Sequence, residues 1–442
     1  MPKIPIFERK RIERAKALVG KLTIGVDPAS RRHTAIVYSP ERLPLSAALS
    51  VQNDRQGFEA MEKTLNHIRS QYPSHQAVFV IEASGEYWKP MWHYFSQRDY
   101  QFVLVPPLFV KRTRDLDDHT PRSNDPKDAV RITNLALEGR YFVPPPQPEI
   151  FEDLQQAVRA WEKVTDDLIR SRLRIGSLLA KYFPEYPPLF SNLIGATSLA
   201  VLELCPFPAD VLSANKETLC QTISNASGKK IEVARVDKLC HKAAESIGVT
   251  RGIAGARLRL KVLLQDANKS KEQAAMLRRE LRQMQKKIDY AKRIQSICGI
   301  GLISTARFLG HLGDMNNFDK VKKIIDLAGI SLIATESGNF YSSRQISRRG
   351  RAGLRCILYE MTCHFVRFPN SARRKYLASR LQGKLYRQAI VAAIPHLVRT
   401  IFAVVNSDSP YQHPAVNDPL RQQIATLEKQ RQEQQKKNKK AA

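Results

Sequence analysis

Apolar residues in this chain fall first in short solid blocks and later in long periodic stripes. Leu22–Val26, Thr34–Tyr38 and Ala47–Val51 read as strands, with turn-like residues between them. Phe58–Ile68 repeats with a helical period. Val78–Glu82 and Phe102–Val105 are brief, almost wholly apolar runs of the kind that fill buried strands. Three strands, a helix, a strand, a helix and a strand predict a mixed α/β sheet with helices laid on it, an order that suits an RNase H-like fold. This domain is assigned to residues 21–150 and closes with the proline-rich stretch 144–150. A basic arm, residues 1–20, precedes it.

The pattern then changes period. Leu154, Ala157, Trp161, Val164, Leu168, Ser171, Ile175 and Leu178 alternate three- and four-residue steps. Leu260, Leu263, Ala267, Ser270, Ala274, Leu277, Leu281, Met284, Ile288 and Ala291 do the same. Heptads this long predict a coiled coil over 151–295, its helices pairing within one chain, between chains, or both. An ordinary helical core is the plainer alternative. A helical insert, about 181–255, separates the two stripes and is punctuated by Pro184, Pro187, Pro188, Pro206 and Pro208. Residues 296–410 read as a further, mainly α-helical domain, and 411–442 as a polar basic tail, either helical or disordered.

Charge narrows the function. The chain has 442 residues and a net charge of +29, with a pI near 10.0. Such an excess seeks a polyanion, and nucleic acid is the expected one. No long apolar stretch or basic amphipathic anchor is seen, so no membrane partner is expected. Six cysteines are widely spaced without a Cys-x-x-Cys pair, and the basic N-terminus lacks the apolar core of a signal peptide; the expected location is the cytoplasm. Arg251–Ile300 holds thirteen Lys/Arg against four acids, and Tyr341–Thr400 thirteen against one. Arg344, Arg348, Arg349, Arg351 and Arg355 crowd one stretch, and guanidinium forks suit phosphate oxygens. Gly299 and Gly301, between two helical runs, have the look of a hairpin that meets a phosphate with backbone N–H groups.

Against that charge, four acids stand where elements end. Asp27 ends the first apolar run and Glu82 the fourth. Asp125 and Asp128 sit three apart at a helix start, with Pro126 at its first turn. Each has a plain reading: strand-end acids for the first two, and an N-cap with its capping-box partner for the pair. Together they could hold two hard cations, as enzymes that handle phosphodiesters do. Ser337 precedes Gly338, where a turn serine is the plain reading and a nucleophile the pointed one.

These motifs, in this order, resemble the DEDD-type insertion-sequence transposases, the family that includes the Piv/MooV invertases and bridge-RNA-guided recombinases. The resemblance rests on Ile24-Gly25-Val26-Asp27, Ile81-Glu82-Ala83-Ser84-Gly85-Glu86-Tyr87, Val105-Pro106-Pro107 and Asn124-Asp125-Pro126-Lys127-Asp128-Ala129. Further on it rests on Ser296–Thr305, Phe318–Gly329, Glu336-Ser337-Gly338 and Ile346–Arg355. The chain departs from the family pattern at Ser123-Asn124, at Cys298 before the glycine hairpin, and at Arg348-Arg349-Gly350. The resemblance implies an RNase H/RuvC-like catalytic domain, a coiled coil and a transposase domain. It implies two Mg²⁺ ions on Asp27, Glu82, Asp125 and Asp128, and Ser337 as the residue that joins DNA covalently. Implied partners are donor and target DNA, a structured guide RNA, and other copies of the chain, as a dimer assembling to a tetramer. A junction endonuclease that uses water as nucleophile is the rival reading, and a non-catalytic nucleic-acid binder the third.

Overall fold

The computed structural model describes residues 5–117, 125–228, 233–333, 336–337, 340–341, 345–407, 409–415 and 418–441. The chain divides into two compact units, Met1–Pro146 and Gln147–Ala442.

In the first unit, α1 (Ile6–Ala17) leads into β1 (Leu22–Asp27), β2 (Arg32–Tyr38), β3 (Leu49–Gln52), α2 (Arg55–Gln71), β4 (Ala77–Glu82), α3 (Lys89–Ser96), β5 (Gln101–Val105), α4 (Pro107–Asp117) and α5 (Asp125–Leu137). The sheet order is β3-β2-β1-β4-β5. β1 pairs antiparallel with β2 and parallel with β4, which pairs parallel with β5. This is the expected mixed sheet. Its central strands are buried on both faces, so they carry solid apolar blocks rather than alternation. Val78, Val80, Val103 and Val105 face α5 and α4, while Leu22, Ile24, Phe79 and Ile81 face α2 and α3.

Residues 5–20, part of the stretch expected as a basic arm, are built into this unit. Leu18 is buried, and Tyr141 donates its hydroxyl to the Arg14 carbonyl at 2.8 Å. Gly139 lies so close to the Arg11 carbonyl that a Cβ there would sit 2.0 Å from it.

In the second unit the two heptad stripes become α6 (Glu149–Tyr182) and α11 (Ile253–Lys286), each 34 residues long. They pack on each other within the chain and run antiparallel. Phe151, Leu154 and Val158 share a core with Leu281, while Ile175, Leu178 and Leu179 share one with Leu260, Leu263, Leu264 and Ala267. The Val249 N–H donates to the Lys181 carbonyl at 2.9 Å, closing the base of the insert. That insert holds α7 (Ala196–Leu204), α8 (Pro208–Ser213), α9 (Lys216–Ser227) and α10 (Val233–Ala244).

Beyond α11 come α12 (Ala291–Gln295), α13 (Leu302–Leu312) and α14 (Val321–Leu327), then β6 (Leu332–Ile333), β7 (Glu336–Ser337), β8 (Phe340–Tyr341) and β9 (Gln345–Ile346). The chain ends with α15 (Ala352–Phe365), α16 (Ser371–Leu381), α17 (Tyr386–Asn406) and α18 (Pro419–Ala441). One expectation needs correction here. The sequence reading finds no long apolar stretch, yet α17 is long and apolar enough to cross a membrane by length and composition. Ala389, Ile390, Ala393, Ile394, Leu397, Val398 and Ile401 are all buried in the core of this unit, which explains the apolarity.

Candidate active site

Three of the expected acids gather at one end of the sheet. β1 and β4 are parallel, with Val26 opposite Ile81, so Asp27 and Glu82 follow at the same, C-terminal end of neighbouring strands. α5 crosses directly over β1. Gly25 allows this: a Cβ there would lie 1.7 Å from the Thr133 hydroxyl and 2.7 Å from the Ala129 carbonyl. Only a residue without a side chain lets the helix approach so closely. Asp128, one residue before Ala129, is thereby brought to the acidic end of the sheet, where its charge acts on Glu82. The backbone of Asp125 starts α5 and that of Ser337 pairs with Phe340, but the side chains of both lie outside the described residues, as does all of Arg344.

The electrostatics are those of acids partly withdrawn from water. Glu82 is buried, and this raises its carboxyl above the usual range; the Arg114 charge works against the shift and the Asp128 charge adds to it. Asp128 is held by two arginines. Arg114 reaches both of its oxygens, at 2.6 and 3.2 Å, and Arg131, one turn along, reaches one at 2.8 Å. Among the described residues no three His, Cys, Asp or Glu side chains gather closely enough to hold a metal ion. The donor chemistry nevertheless fits a hard cation: carboxylate oxygens, one buried and disfavouring its own charge. For Asp128 to serve as a ligand, its bonds to Arg114 must open, and Arg114 is exposed enough to turn away.

Three residues of this site escaped the sequence reading. Arg114 and Arg131 are two cations among 71 Lys and Arg, and nothing in their spacing singles them out. His33, fully buried on β2, accepts the Ala29 N–H at 3.1 Å through Nδ1 and so fixes the turn that follows Asp27. Burial keeps its pKa below the ordinary histidine value, with Asn53 working in the opposite direction.

The expected nucleic-acid residues are divided in their duties. Gly301 is the N-cap of α13 and faces open space, whereas Gly299, at φ +78°, is packed against His364 and Phe368. Arg348 and Arg349 are exposed. Arg351 donates to the His311 and Leu312 carbonyls at 2.7 and 3.2 Å, and Arg355 to the Ala328 carbonyl at 2.9 Å. These last two cap helix ends, a use that satisfies orphan carbonyls. Ser337 belongs to one of two separate pairs of very short strands: β7 pairs with β8, and β6 with β9 on either side of them in sequence.

A partly buried ion network joins α6 to α13 and α15 within the second unit. Arg307 pairs with Glu162 at 2.8 Å and with Glu360, and His311 meets Glu162 at 3.1 Å. Burial works to raise the Glu162 pKa, but the hydrogen bonds from Arg307 and His311 outweigh it and leave it low.

Comparison with known proteins places the chain in a family. A family model described as a transposase, of the DEDD type of IS110, matches residues 24–184, which include Asp27, Glu82 and the Asp125/Asp128 pair. A second, described as the transposase of the IS116/IS110/IS902 family, matches residues 291–377. The chain belongs to the IS110/IS116 family of transposases. Similar proteins include an uncharacterized 44.8 kDa protein of insertion element IS116 from Streptomyces clavuligerus, 21% identical over 87% of this chain and 94% of the relative. An uncharacterized 43.6 kDa protein of IS110 from Streptomyces coelicolor is 19% identical over 70% of this chain and 77% of its own length. As a member of this family the transposase is a DNA-binding enzyme that cuts and transfers strands. The family also suggests a divalent metal.

Proposed function

We propose that the transposase moves an insertion sequence by Mg²⁺-dependent strand exchange through a phosphoserine link at Ser337. The observation that carries this reading is the convergence of Asp27, Glu82 and Asp128 at one sheet end, in a chain whose net charge is +29. Asp125, one turn before Asp128 on α5, completes the ligand set. Two bound Mg²⁺ ions would stabilise charge on the attacking and leaving oxygens. The α/β unit acts as a RuvC-like catalytic domain, and α6 with α11 as the coiled coil through which copies of the chain assemble, as a dimer and then a tetramer. A structured guide RNA specifies target and donor by base pairing, while the protein grips backbones through cations such as Arg348 and Arg349 and through the hairpin at Gly299 and Gly301.

The chemistry balances without ATP. The Ser337 Oγ forms a bond to phosphorus as the bond from phosphorus to a sugar oxygen breaks. The serine proton passes to a nearby base, and the sugar leaves as a hydroxyl. A hydroxyl from another strand then attacks the phosphoserine, Oγ leaves and regains a proton, and one phosphodiester has replaced another.

The deciding experiment compares Ser337→Ala with Asp27→Asn, Glu82→Gln and Asp128→Asn. All four variants should bind nucleic acid, because binding rests on Lys and Arg. None should form a covalent protein–DNA adduct on denaturing gels, whereas wild type should, with the DNA mapping to Ser337. If Ser337→Ala still cuts DNA in Mg²⁺ and wild type carries no adduct, water is the nucleophile and the junction-endonuclease reading replaces this one.

A further inference from the structure

The second unit carries a groove remote in sequence from the acids, bounded by α16, α17 and α18. Its volume is about 620 Å³. Arg374 and Lys375 line it from α16 and His396 from α17, while α18 contributes Gln422, Gln423, Thr426 and Gln430. Among the described residues no carboxylate lines it. This is not a general property of the region, because the acid at hand is used elsewhere: Glu428 pairs with Arg373, the neighbour of Arg374, which also donates to the Val366 and Arg367 carbonyls at 2.9 and 3.0 Å. Arg374 instead donates to the neutral Gln423 side chain at 2.8 Å. Among the described residues neither Arg374 nor Lys375 has a carboxylate partner. His396 sits half-buried among them, its pKa lowered first by burial and then by Arg399, Lys375 and Arg374. Uncompensated cations massed around a half-buried histidine repel one another, and an anion in the groove would relieve that cost. The neutral hydrogen-bonding stripe on α18 matches the rest of such a ligand: amides and a hydroxyl can meet phosphate and sugar oxygens without adding charge.

We propose that this groove is a dedicated docking site for the phosphodiester backbone of a nucleic acid strand, contacted by Arg374, Lys375 and the α18 amide stripe. The site rests on the reading of the chain as a nucleic-acid enzyme and adds a separate anchor to it. The second family match, which ends at residue 377, takes in Arg374 and Lys375 on α16 but not α17 or α18.

The test uses the full-length protein and fluorescence anisotropy with single-stranded RNA, single-stranded DNA and duplex DNA of one sequence, over a series of salt concentrations. The double variant Arg374→Ala/Lys375→Ala should weaken binding on the order of tenfold at moderate salt and flatten the log–log salt slope by roughly two units, one per lost phosphate contact. Thr426→Glu, which leaves both cations in place but puts a negative charge on the opposite wall, should also weaken binding. The control Lys10→Ala/Lys63→Ala removes the same net charge from the first unit instead. Loss with the groove variants beyond that of the control supports the site, and the probe that suffers most identifies the occupant as RNA or DNA. Equal effects of groove and control variants on all three probes would overturn it. If wild type binds none of the probes, the nucleic-acid reading fails and the groove with it; if wild type cuts and binds normally and only the groove variants are silent, the groove alone fails.

Discussion

Gly25 is where strand and helix touch most closely, and the site depends on that contact. Gly25→Ala should push α5 off β1, because the new methyl would meet both a movable hydroxyl and a fixed backbone carbonyl. We expect a loss of about 1–3 kcal/mol in denaturant unfolding, as for other overpacked cores. Adding Thr133→Ala should restore only part of it, since the Ala129 carbonyl remains in the way; full recovery would mean that the helix follows the hydroxyl alone. Glu82 gives a second residue-scale expectation. Its pKa is raised in the fold, so its contribution to stability is complete below the ordinary glutamate value near 4.5 and is lost as pH rises through its raised value. In EDTA, Glu82→Gln should therefore melt above wild type at neutral pH and level with it near pH 4. The opposite order at neutral pH would show that Arg114 more than offsets the burial. At this scale Asp27 and Glu82 stood out because each ends a strand, Asp125 and Asp128 because they open a helix, and the motif containing Gly25 as a string of letters. Why the glycine is there was not, because its partner Thr133 lies more than a hundred residues away. His33 and Arg114 were illegible because their roles are contacts that no local pattern encodes.

Among elements, those with a long repeat were the most legible. The heptads of α6 and α11 declare helices, but their pairing options were left open, and intrachain antiparallel packing is the outcome seen. β6 to β9 hold two residues each, too few for any period to register, so the sequence offered only a turn at Ser337 within a mainly α-helical domain and no strand there. The docking of α6 onto α13 leads to a prediction of its own. Glu162 has a lowered pKa, so its stabilising effect is present above the ordinary glutamate value and fades as pH falls through the lowered one. Glu162→Gln should lower the melting temperature at pH 7, and the difference from wild type should close in acid. A difference that persists unchanged to pH 3 would place the effect in packing rather than in charge. His311 couples this network to the chain that follows Ser337, since Arg351 holds the His311 carbonyl.

For the whole molecule, the mixed sheet and the helical remainder were legible from the change of hydrophobic period near residue 150. The division falls at Pro146/Gln147, within the stretch of prolines that marked it. Each unit has its own buried clusters, so residues 1–146 expressed alone should unfold in one cooperative thermal transition. A fragment with no transition would mean that the sheet needs the rest of the chain to fold. The excess charge of +29 acts at this scale too. Nucleic-acid affinity of the intact transposase should fall steeply with salt, as counterion release requires; a flat dependence, measured by anisotropy, would assign the cations to solvation of the surface.

The antiparallel pairing of α6 with α11 also sets an order of events during synthesis. A chain emerging from the ribosome completes α6 at Tyr182 and reaches α11 only at Ile253. The last turns of α6 do not wait for it, because Ile175, Leu178 and Leu179 find Phe183, Tyr186, Leu199 and Phe207 in the insert that follows at once. The first turns have no such neighbour. Phe151, Leu154 and Val158 are covered only when Leu281 and the helices beyond it arrive, well over a hundred residues later. A nascent chain halted between those points carries a finished insert and a bare seam, and it is through that seam that truncated copies would cling to one another.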